Sequence, residues 1–556
     1  PVEIIDLAAI NDLGPDPDEI EKLDRLRADL LDPKIIKTAY NAQFEITCLS
    51  KEFAPGLDPK QWRCTQVRAA MLGLPFGLDF VAKVLKLPVQ KMSGWQHIRY
   101  FCIPCKPTAA NGMRTRNRPH HNPEGWAEFK AYCCQDVTTE RAVDTRIDFF
   151  QGWDFEKPMY AIDQEINTNG VKIDRVLVEN AIKMNEIYSG RLIAEAIEIT
   201  KVLNPKSVPQ LKQWIEESIG DEVENLQASN IRALIERADS PEVKRVLEIR
   251  QQISKSSIKK FQAMINCAGA DDRVRGLFQY YGANRTGRWA GRLVQVQNLV
   301  KNNMKNLDEA RQLVREGDLD TLELMYGNVS RVLSQLCRTA FIPEAGKVLL
   351  VSDFAAIEAR VLAWLAGEQW KIDVFNGHGK IYEAVGARMF GLRIEDIKKG
   401  SVERDASKIS ELALGYQGAV GAMTSMITSE KRKAQDQGKK WTYNPTEDQM
   451  KETVTAWRLA NPKIKQYWND ANNAAINAVA TGELTTCGKV AYYTKKGILF
   501  CKLPSGRELA YMRPALVPNK FGGVQIEYEG MNQTTKKWEK MRAYGGLLVE
   551  NMTQAI

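Results

Sequence analysis

Hydrophobic and polar residues follow both helix-like and strand-like patterns in the first 150 residues. Short apolar runs typical of strands occur in VEIIDL and IIKTAY. Helical periodicity follows in QFEITCLSKEF, CTQVRAAMLGL and WAEFKAYCCQDVTTERAV. This mixture predicts an α/β domain over residues 1–150.

The remaining chain separates into four segments by its pattern. Residues 151–270 are helical and highly charged, and residues 271–368 mix strand and helix signals. Residues 369–485 are helical again, and residues 486–556 carry strands and turns, as in KVAYYTKKGILF and KLPSGRELAYM. Because no single core usually serves a chain of 556 residues, several packed domains are expected.

An unbroken apolar run, KVLLVS, ends at Asp353 and leads into a helical pattern. Ile357, Val361, Trp364 and Leu365 then fall on one stripe. The pattern predicts a buried strand that ends in a turn at Asp353, where ligand sites of α/β sheets commonly lie. An aspartate at this position can equally cap the following helix, because it accepts hydrogen bonds from the first free amides.

A second pattern places Arg404, Lys408, Leu412 and Tyr416 four residues apart, on one face of a helix. Two cations one turn apart repel each other unless an anion lies between them. Glu411 is one candidate, since it could neutralise Lys408 across a turn. A triphosphate would satisfy both cations, and the Tyr416 ring would offer a flat surface for a base.

A third segment, NRTGRWAGRLVQVQNLVKNNMKN, is basic and contains no acid. Its cationic and amide side chains are Arg285, Arg288, Arg292, Gln297, Asn298 and Lys301. Such a segment fits contact with phosphates and base edges in a groove, and a basic surface loop is the alternative.

Composition narrows the class of protein. No apolar run approaches the roughly 18 residues that a membrane span needs. Ten cysteines scattered from Cys48 to Cys501 favour reduced thiols in the cytoplasm, and a net charge of +8 permits a polyanionic partner. The chain opens with Pro1 and ends in the apolar pattern LLVENMTQAI without a helix-stop signal, which predicts a fragment cut at both ends.

Four of these motifs occur in an order that resembles a known family. TGRWAGRLVQVQN, DFAAIEAR, the Arg404–Lys408 pair with Tyr416, and LPSGRELAY resemble the polymerase domain of family A DNA polymerases, the DNA polymerase I class, especially its phage members. The resemblance implies a right-hand α+β polymerase. Residues 151–270 would form a helical thumb and 369–485 the fingers, while 271–368 and 486–556 would form the two parts of the palm.

The resemblance also implies a magnesium site. Asp353 matches the first of two palm carboxylates that hold two catalytic Mg²⁺ ions, and Phe354 matches a position that contributes its backbone carbonyl. Two metals would hold the attacking 3′-oxygen and the leaving pyrophosphate, and oxygen ligands suit Mg²⁺. The second carboxylate belongs to a His-Asp-Glu motif, and no histidine of this chain precedes an Asp-Glu pair. The chain is therefore expected to stop before that motif and to be inactive by itself.

Substrate contacts are implied for two further sets of residues. The nucleotide contacts are Glu358, which would exclude a ribose 2′-hydroxyl, Arg404 and Lys408 on the triphosphate, Tyr416 at the insertion site, Leu412 and Tyr382. The primer-template contacts are Arg288, Gln297, Asn298 and Gln554. Leu412 stands where the family usually has Phe or Tyr, and Tyr382 where it often has His, so the grip on sugar and triphosphate is expected to differ.

The first 150 residues resemble the 3′-5′ exonuclease that often accompanies this polymerase, a ribonuclease-H-like α/β domain. Asn41 lies four residues before Glu45, as in the second exonuclease motif, with Glu in place of the usual Asp. Tyr132 lies four residues before Asp136, as in the third motif, which on a helix places both on one face. The resemblance implies catalytic roles for Glu45, Tyr132 and Asp136, and metal binding by Glu45 and Asp136. The first motif, an Asp-x-Glu pair, is absent.

A C-x-x-C pair, Cys102 and Cys105, precedes a basic loop and His120 and His121. These side chains could suggest zinc, but the spacing fits no common zinc finger.

The sequence therefore predicts a phage-type DNA polymerase with an exonuclease domain. Its partners would be primer-template DNA and deoxynucleoside triphosphates, and it would act as a monomer in the host cytoplasm without a membrane. Two alternatives remain: an exonuclease with a non-catalytic polymerase-like region, and a non-catalytic nucleic-acid-binding protein. Asp353 beside Glu358 disfavours the latter, because acids near DNA phosphates are unfavourable without a metal.

Overall fold

A computed structural model describes residues 2–8, 10, 17–53, 56–255, 258–436 and 440–556. The chain divides into two compact units. The first comprises residues 1–164, 280–289 and 353–556, and the second comprises 165–279 and 290–352. None of the described helices is both long and apolar enough to cross a membrane.

The first region of the chain is mainly helical, with two short strands. Its helices are α1 (Pro17–Leu31), α2 (Ala42–Glu52), α3 (Thr65–Met71), α4 (Leu78–Val84), α5 (Trp95–His97) and α6 (Pro123–Ile147). The strands β1 (Lys37–Ala39) and β2 (Trp62–Cys64) pair in parallel, as an α/β arrangement requires. The helices predicted from the sequence are confirmed, but the strand predicted at VEIIDL is wrong: residues 2–6 are irregular, and none of the described strands pairs with them.

The second unit is built around long helices, as the charged helical pattern predicts. They are α7 (Trp153–Asn169), which begins in the first unit, α8 (Arg175–Thr200), α9 (Val208–Ile219), α10 (Ala228–Arg237), α11 (Pro241–Ile253), α12 (Lys259–Cys267), α13 (Leu307–Glu316), α14 (Leu319–Tyr326) and α15 (Val329–Leu336). Strands β3 (Val171–Lys172) and β4 (Arg273–Val274) pair beside them. Leu177, Ala181 and Tyr188 on α8 are buried in the main core of this unit. They are four and seven residues apart, which places them on the same face of the helix, the one that packs into the core.

A hairpin follows the second unit's small sheet. Strands β5 (Phe278–Ala283) and β6 (Arg288–Gly291) pair with each other and carry the sequence QYYGANRTGRW.

The chain between residues 357 and 481 is helical, and the helical pattern predicted for residues 369–485 is confirmed up to Thr481. It contains α16 (Ile357–Ala366), α17 (Gln369–Asn376), α18 (Ile381–Phe390), α19 (Val402–Leu414), α20 (Val420–Asp436), α21 (Glu447–Ala460) and α22 (Pro462–Thr481). Trp457 and Trp468, from α21 and α22, stack with ring centroids 6.2 Å apart inside its core.

A six-stranded antiparallel sheet closes the first unit, followed by a terminal helix. The strands are β7 (Thr485–Cys487), β8 (Val490–Lys495), β9 (Ile498–Lys502), β10 (Glu508–Pro518), β11 (Val524–Met531) and β12 (Trp538–Ala543), each paired with its neighbours in sequence; α23 (Gly545–Ala555) is the last helix.

Both faces of this sheet are covered. In β9, Leu499 and Cys501 pack into the core formed with the helices after residue 357, whereas Ile498 and Phe500 pack into the core formed with the first region. A strand buried on both faces needs a continuous apolar run, which explains the sequence ILFC.

Candidate active site

The position of Asp353 differs from the sequence prediction. Residues 347–352 form no strand, and Leu350 and Val351 are 93% and 92% exposed. An apolar run becomes a strand only when its backbone groups find a partner strand, and none of the described strands pairs with this run. The predicted buried strand is therefore wrong here, and Asp353 lies in an exposed irregular segment.

The alternative assignment of Asp353 as a helix cap is wrong as well. Helix α16 begins at Ile357, and its capping residue is Ala356, three residues after Asp353. Asp353 and Phe354 both remain accessible, with Phe354 76% exposed. Of the predicted apolar stripe, Leu365 is buried, whereas Ile357 and Trp364 are 44% and 40% exposed.

Glu358 and Arg288 meet although they lie 70 positions apart in sequence. Glu358 occupies the first turn of α16, and its Oε1 lies 3.6 Å from Nη1 of Arg288 on β6. Both side chains are about half exposed, so the ion pair adds little to stability. It instead leaves one carboxylate and one guanidinium accessible side by side.

Tyr416 lies close to Glu358 and to Glu550 on α23. Burial raises the pKa of Tyr416 above its ordinary value, and the charges of Glu358 and Glu550 raise it further. Burial, followed by the charge of Glu358, also raises the pKa of Glu550. The charges of two carboxylates therefore act on this tyrosine.

Two glycines allow α23 to begin against this tyrosine. A Cβ on Gly546 would lie 2.3 Å from the carbonyl oxygen of Tyr416, and one on Gly545 would lie 2.0 Å from that of Trp468. The Gly546 amide also donates to Oε1 of Gln417 at 3.0 Å. Any larger residue would push α23, and Glu550 with it, away from Tyr416.

Arg404 and Lys408 lie on one face of α19, as predicted, and each has a carboxylate partner from another helix. Nε of Arg404 donates to Oε1 of Glu383 on α18 at 2.9 Å, and Lys408 pairs with Glu430 on α20. Although burial opposes ionisation, the hydrogen bond from Arg404 keeps the pKa of Glu383 below its ordinary value. The alternative in which Glu411 neutralises Lys408 is wrong.

Glu411 instead binds Lys371, because it points to the opposite side of α19, into the core. The two other predicted nucleotide contacts lie near the cations. The guanidinium carbon of Arg404 is 4.7 Å from the centre of the Tyr382 ring, and Leu412 is 42% exposed. Tyr382 therefore stacks on the Arg404 cation.

The remaining predicted DNA contacts are distributed over both units. Gln297 and Asn298 lie in a 3₁₀ turn of the second unit and are exposed, with Nδ2 of Asn298 donating to Oε1 of Gln295 at 3.3 Å. Gln554 lies on α23 and donates to Oε1 of Glu550 at 3.2 Å. All three have polar atoms at or near the surface.

In the first region, Tyr132 and Asp136 lie on one face of α6, as predicted. Oδ2 of Asp136 accepts from Lys91 at 2.9 Å, and the Lys91 ammonium lies 5.2 Å from the centre of the Tyr132 ring. Oδ1 of Asp136 is buried and has no hydrogen-bond partner among the described residues. One oxygen of this carboxylate is therefore available to a cation.

Glu45 lies on α2 with one oxygen, Oε2, equally buried and without a partner in the described structure. Burial raises the pKa of Glu45 to about 7, and the charge of Glu140 on α6 contributes further. The carboxyl group of Glu45 is thus poorly solvated and is influenced by the charge of a second acid, Glu140.

Comparison with known proteins decides the family. A sequence profile described as DNA polymerase family A matches residues 179–478. A DNA polymerase of Bacillus phage SP02 is 50% identical over 558 residues, which covers 100% of this chain and 83% of the phage protein. This chain belongs to DNA polymerase family A.

More distant similarities agree with this assignment. The DNA polymerase I of Lactococcus lactis subsp. lactis is 24% identical over 251 residues, which is 44% of this chain and 25% of that enzyme. The solved POL domain of Pol1 from M. smegmatis, in complex with DNA primer-template and dNTP, has a TM-score of 0.52 at 14% identity, covering 89% of this chain and 72% of that one. This family A chain therefore shares the right-hand polymerase fold.

The donors at Asp353 suit a magnesium ion in their chemistry, because a carboxylate and a backbone carbonyl are hard oxygen ligands. However, no group of three or more His, Cys, Asp or Glu residues among those described is arranged to hold a metal. Among the described residues, Cys102, Cys105, His120 and His121 form no such group either. Cys105 instead accepts a hydrogen bond from Asn111, at 3.9 Å, within its own loop.

Several residues of the site were not predicted from the family A motifs. Glu383 and Glu430 lie about 20 residues from the cations that they bind, and Glu550 lies in the apolar tail. Spacing within one helix cannot reveal partners on other helices. The adjacent Gly545 and Gly546 were the one available signal, since glycines at a helix start can indicate a close backbone approach.

Proposed function

We propose that this family A polymerase extends a DNA primer on a DNA template by transferring deoxynucleotides from their triphosphates to the primer 3′-end. The observation that carries the proposal is that Arg288, Glu358 and Tyr416, from three separate motifs, are brought together with Glu550 of the terminal helix: Arg288 pairs with Glu358, and the charges of Glu358 and Glu550 act on Tyr416. A non-catalytic clamp would not require two carboxylates beside an accessible guanidinium.

Each part of the proposed site has a physical task. Asp353, with the carbonyl of Phe354, would hold Mg²⁺, which supplies charge neutralisation at the reacting phosphate. Arg404 and Lys408 would exchange their carboxylate partners for triphosphate oxygens, and Tyr416 would stack near the incoming base. Glu358, beside Tyr416, would exclude a ribose 2′-hydroxyl. Arg288, Gln297, Asn298 and Gln554 would contact the primer-template.

We further propose that the segments of the chain form the thumb, fingers and palm that the motifs imply. Residues 151–270 would act as the thumb, 369–485 as the fingers, and 271–368 with 486–556 as the palm. The enzyme would work as a monomer in the host cytoplasm.

Replacing Lys408 by Met tests the proposed triphosphate contact. We expect kcat/KM for the incoming deoxynucleotide to fall about 100-fold, because a charge-assisted contact to the triphosphate is lost. Lys433→Met is a matched control, since Lys433 pairs with the same Glu430 from within α20, and its Nζ lies 2.5 Å from Oε1. Steady-state single-nucleotide incorporation by the product of the complete reading frame provides the measurement. An equal fall in kcat/KM for Lys408→Met and Lys433→Met would show that Lys408 acts only as an ion-pair partner of Glu430 and not on the triphosphate.

A 3′-5′ exonuclease activity in residues 1–150 is our second proposal, with a ribonuclease-H-like arrangement of that region. It is supported by the two buried carboxylate oxygens without partners, on Glu45 and Asp136, and by Tyr132 on the same face of α6 as Asp136. Glu45 and Asp136 would hold a metal, and Tyr132 would orient the attacking water. Binding of a metal by Asp136 would then require its ion pair with Lys91 to break.

Glu45→Gln should separate stability from this activity. The pKa of Glu45 in the folded state, about 7, lies above its usual value near 4.5, so ionisation of Glu45 destabilises the folded state. The free energy of unfolding therefore falls as the pH rises from about 4.5 to 7. In the absence of divalent metal, the amide should therefore raise the free energy of unfolding at pH 8 by about 1–3 kcal/mol. With Mg²⁺, trimming of a single-stranded 3′-end should be lost.

Glu52→Gln is the control for Glu45, because Glu52 lies exposed at the end of the same helix. Chemical denaturation between pH 5 and 8 measures the stability, and gel analysis of a labelled oligonucleotide measures trimming. Undiminished trimming by Glu45→Gln would remove Glu45 from the proposed exonuclease site.

A further inference from the structure

Residues 95–122, here called the basic segment, carry positive charge that neither proposed active site uses. No acid occurs between residues 80 and 123. The arginines and lysines of the basic segment are Arg99, Lys106, Arg114, Arg116 and Arg118. Within the part of the chain that the structure describes, Arg99, Lys106 and Arg116 form no ion pair and are exposed.

Neutral hydrogen bonds hold Arg114 in place within the basic segment. Nε of Arg114 donates to Oδ1 of Asn117 at 2.8 Å, and Nδ2 of Asn117 donates to the carbonyl of Tyr100 at 3.0 Å. The Cys105 amide donates to the carbonyl of Thr115 at 2.8 Å. These bonds fix the guanidinium of Arg114 beside the helical turn that carries Arg99 while leaving its charge uncompensated.

The charge of Arg114 acts on a histidine within the basic segment. Desolvation, followed by the charge of Arg114, lowers the pKa of His121. An anion placed over the basic segment would relieve this repulsion.

The basic segment also exposes apolar side chains between its cations. Trp95, Ile103 and Met113 are 65%, 44% and 64% exposed. Trp95 and Arg99 lie four residues apart on the continuous helical turns of residues 95–102, so they share a face. Alternating aromatic and cationic surfaces are what an unpaired nucleic-acid strand needs, because its bases stack while its phosphates bind cations.

A rigid base supports this surface. Phe101 is buried against Trp126 and Phe129 of α6, with ring centroids 5.0 and 5.8 Å away. Immediately before the segment, a Cβ on Gly94 would lie 2.3 Å from the Tyr132 ring. The basic segment is therefore anchored on the helix that carries Tyr132 and Asp136.

We propose that the basic segment binds single-stranded DNA through Arg99, Arg114 and Arg116 on its phosphates and Trp95 on a base. A duplex would satisfy the cations but would leave Trp95, Ile103 and Met113 exposed, because its bases are already stacked. Single-stranded DNA satisfies both kinds of surface. The proposal is independent of the exonuclease, since binding requires neither Glu45 nor a metal.

Binding of a fluorescent single-stranded oligodeoxynucleotide to the full-length protein, in EDTA, tests the proposal. The triple substitution Arg99→Gln/Arg114→Gln/Arg116→Gln should weaken binding at least tenfold at low salt, because three phosphate contacts are lost. For the same reason, the slope of log K against log salt concentration should become less negative by about 2. Trp95→Ala should weaken binding about tenfold through lost stacking. Primer-template binding and primer extension should stay unchanged.

Lys496→Gln/Lys520→Gln/Lys536→Gln is the matched control, since it removes the same charge from exposed strand turns of the first unit. An equal loss in this control would overturn the proposal by showing that only net charge matters. An equal loss of duplex binding in the Arg triple variant, or stronger binding of RNA than of DNA of the same sequence, would overturn the assignment to single-stranded DNA. Crosslinking of an iodouracil-containing strand to the peptide that carries Trp95 would support it, and crosslinking elsewhere alone would contradict it.

Discussion

Lys371→Met is expected to lower the free energy of unfolding by about 3–5 kcal/mol, because it leaves a buried carboxylate without its cation. Lys371 is fully buried, and its Nζ lies 2.6 and 2.8 Å from the two oxygens of Glu411. Glu411 also accepts from Nε1 of Trp457 at 3.1 Å, and the Lys371 ammonium lies 5.1 Å from the centre of the Trp457 ring. Chemical denaturation followed by tryptophan fluorescence measures the loss.

Two further variants separate charge from packing. Lys371→Met/Glu411→Gln should recover most of the loss, since the amide oxygen of the glutamine still accepts from Trp457 and no unpaired charge remains. Arg393→Met breaks an ion pair with Asp396 that lies at the surface, and it should change stability by less than about 0.5 kcal/mol. A similarly small effect of Lys371→Met would contradict the importance of the buried pair.

Asp353→Asn is expected to reduce the rate of primer extension by at least about 10³-fold, because a neutral amide is a poor ligand for the proposed Mg²⁺ and cannot offset its charge. Folding should not change, since Asp353 lies in an exposed irregular segment. Single-turnover extension by the full-length protein measures the effect, with circular dichroism and primer-template binding as checks.

Asp373→Asn is the control for Asp353. Asp373 lies exposed on α17 and accepts only from Gln369, at 2.7 Å, among the described residues. Its extension rate should equal that of the unmodified enzyme. If Asp353→Asn extended primers within tenfold of that rate, the assignment of Asp353 as a metal ligand would fail.

The helical faces of the site could be predicted from sequence because they depend on local periodicity. Arg404 and Lys408 share a face of α19, and Tyr132 and Asp136 share a face of α6, as their four-residue spacing requires. The strand prediction at residues 347–352 was wrong for a related reason. Apolar composition is local, but a strand also needs a partner, which composition does not identify.

The sequence by itself determined the order of the polymerase motifs, the position of the helical segments and of the strand-rich tail, and the spacing of side chains within each helix. Only the tertiary structure decided that Glu358 lies beside Arg288, that Glu550 approaches Tyr416, and that Glu383 and Glu430 rather than Glu411 bind the two cations. The physical reason is the distance along the chain over which each interaction acts. Periodicity follows from backbone geometry within a few residues, whereas charge pairing between elements depends on packing of the whole unit.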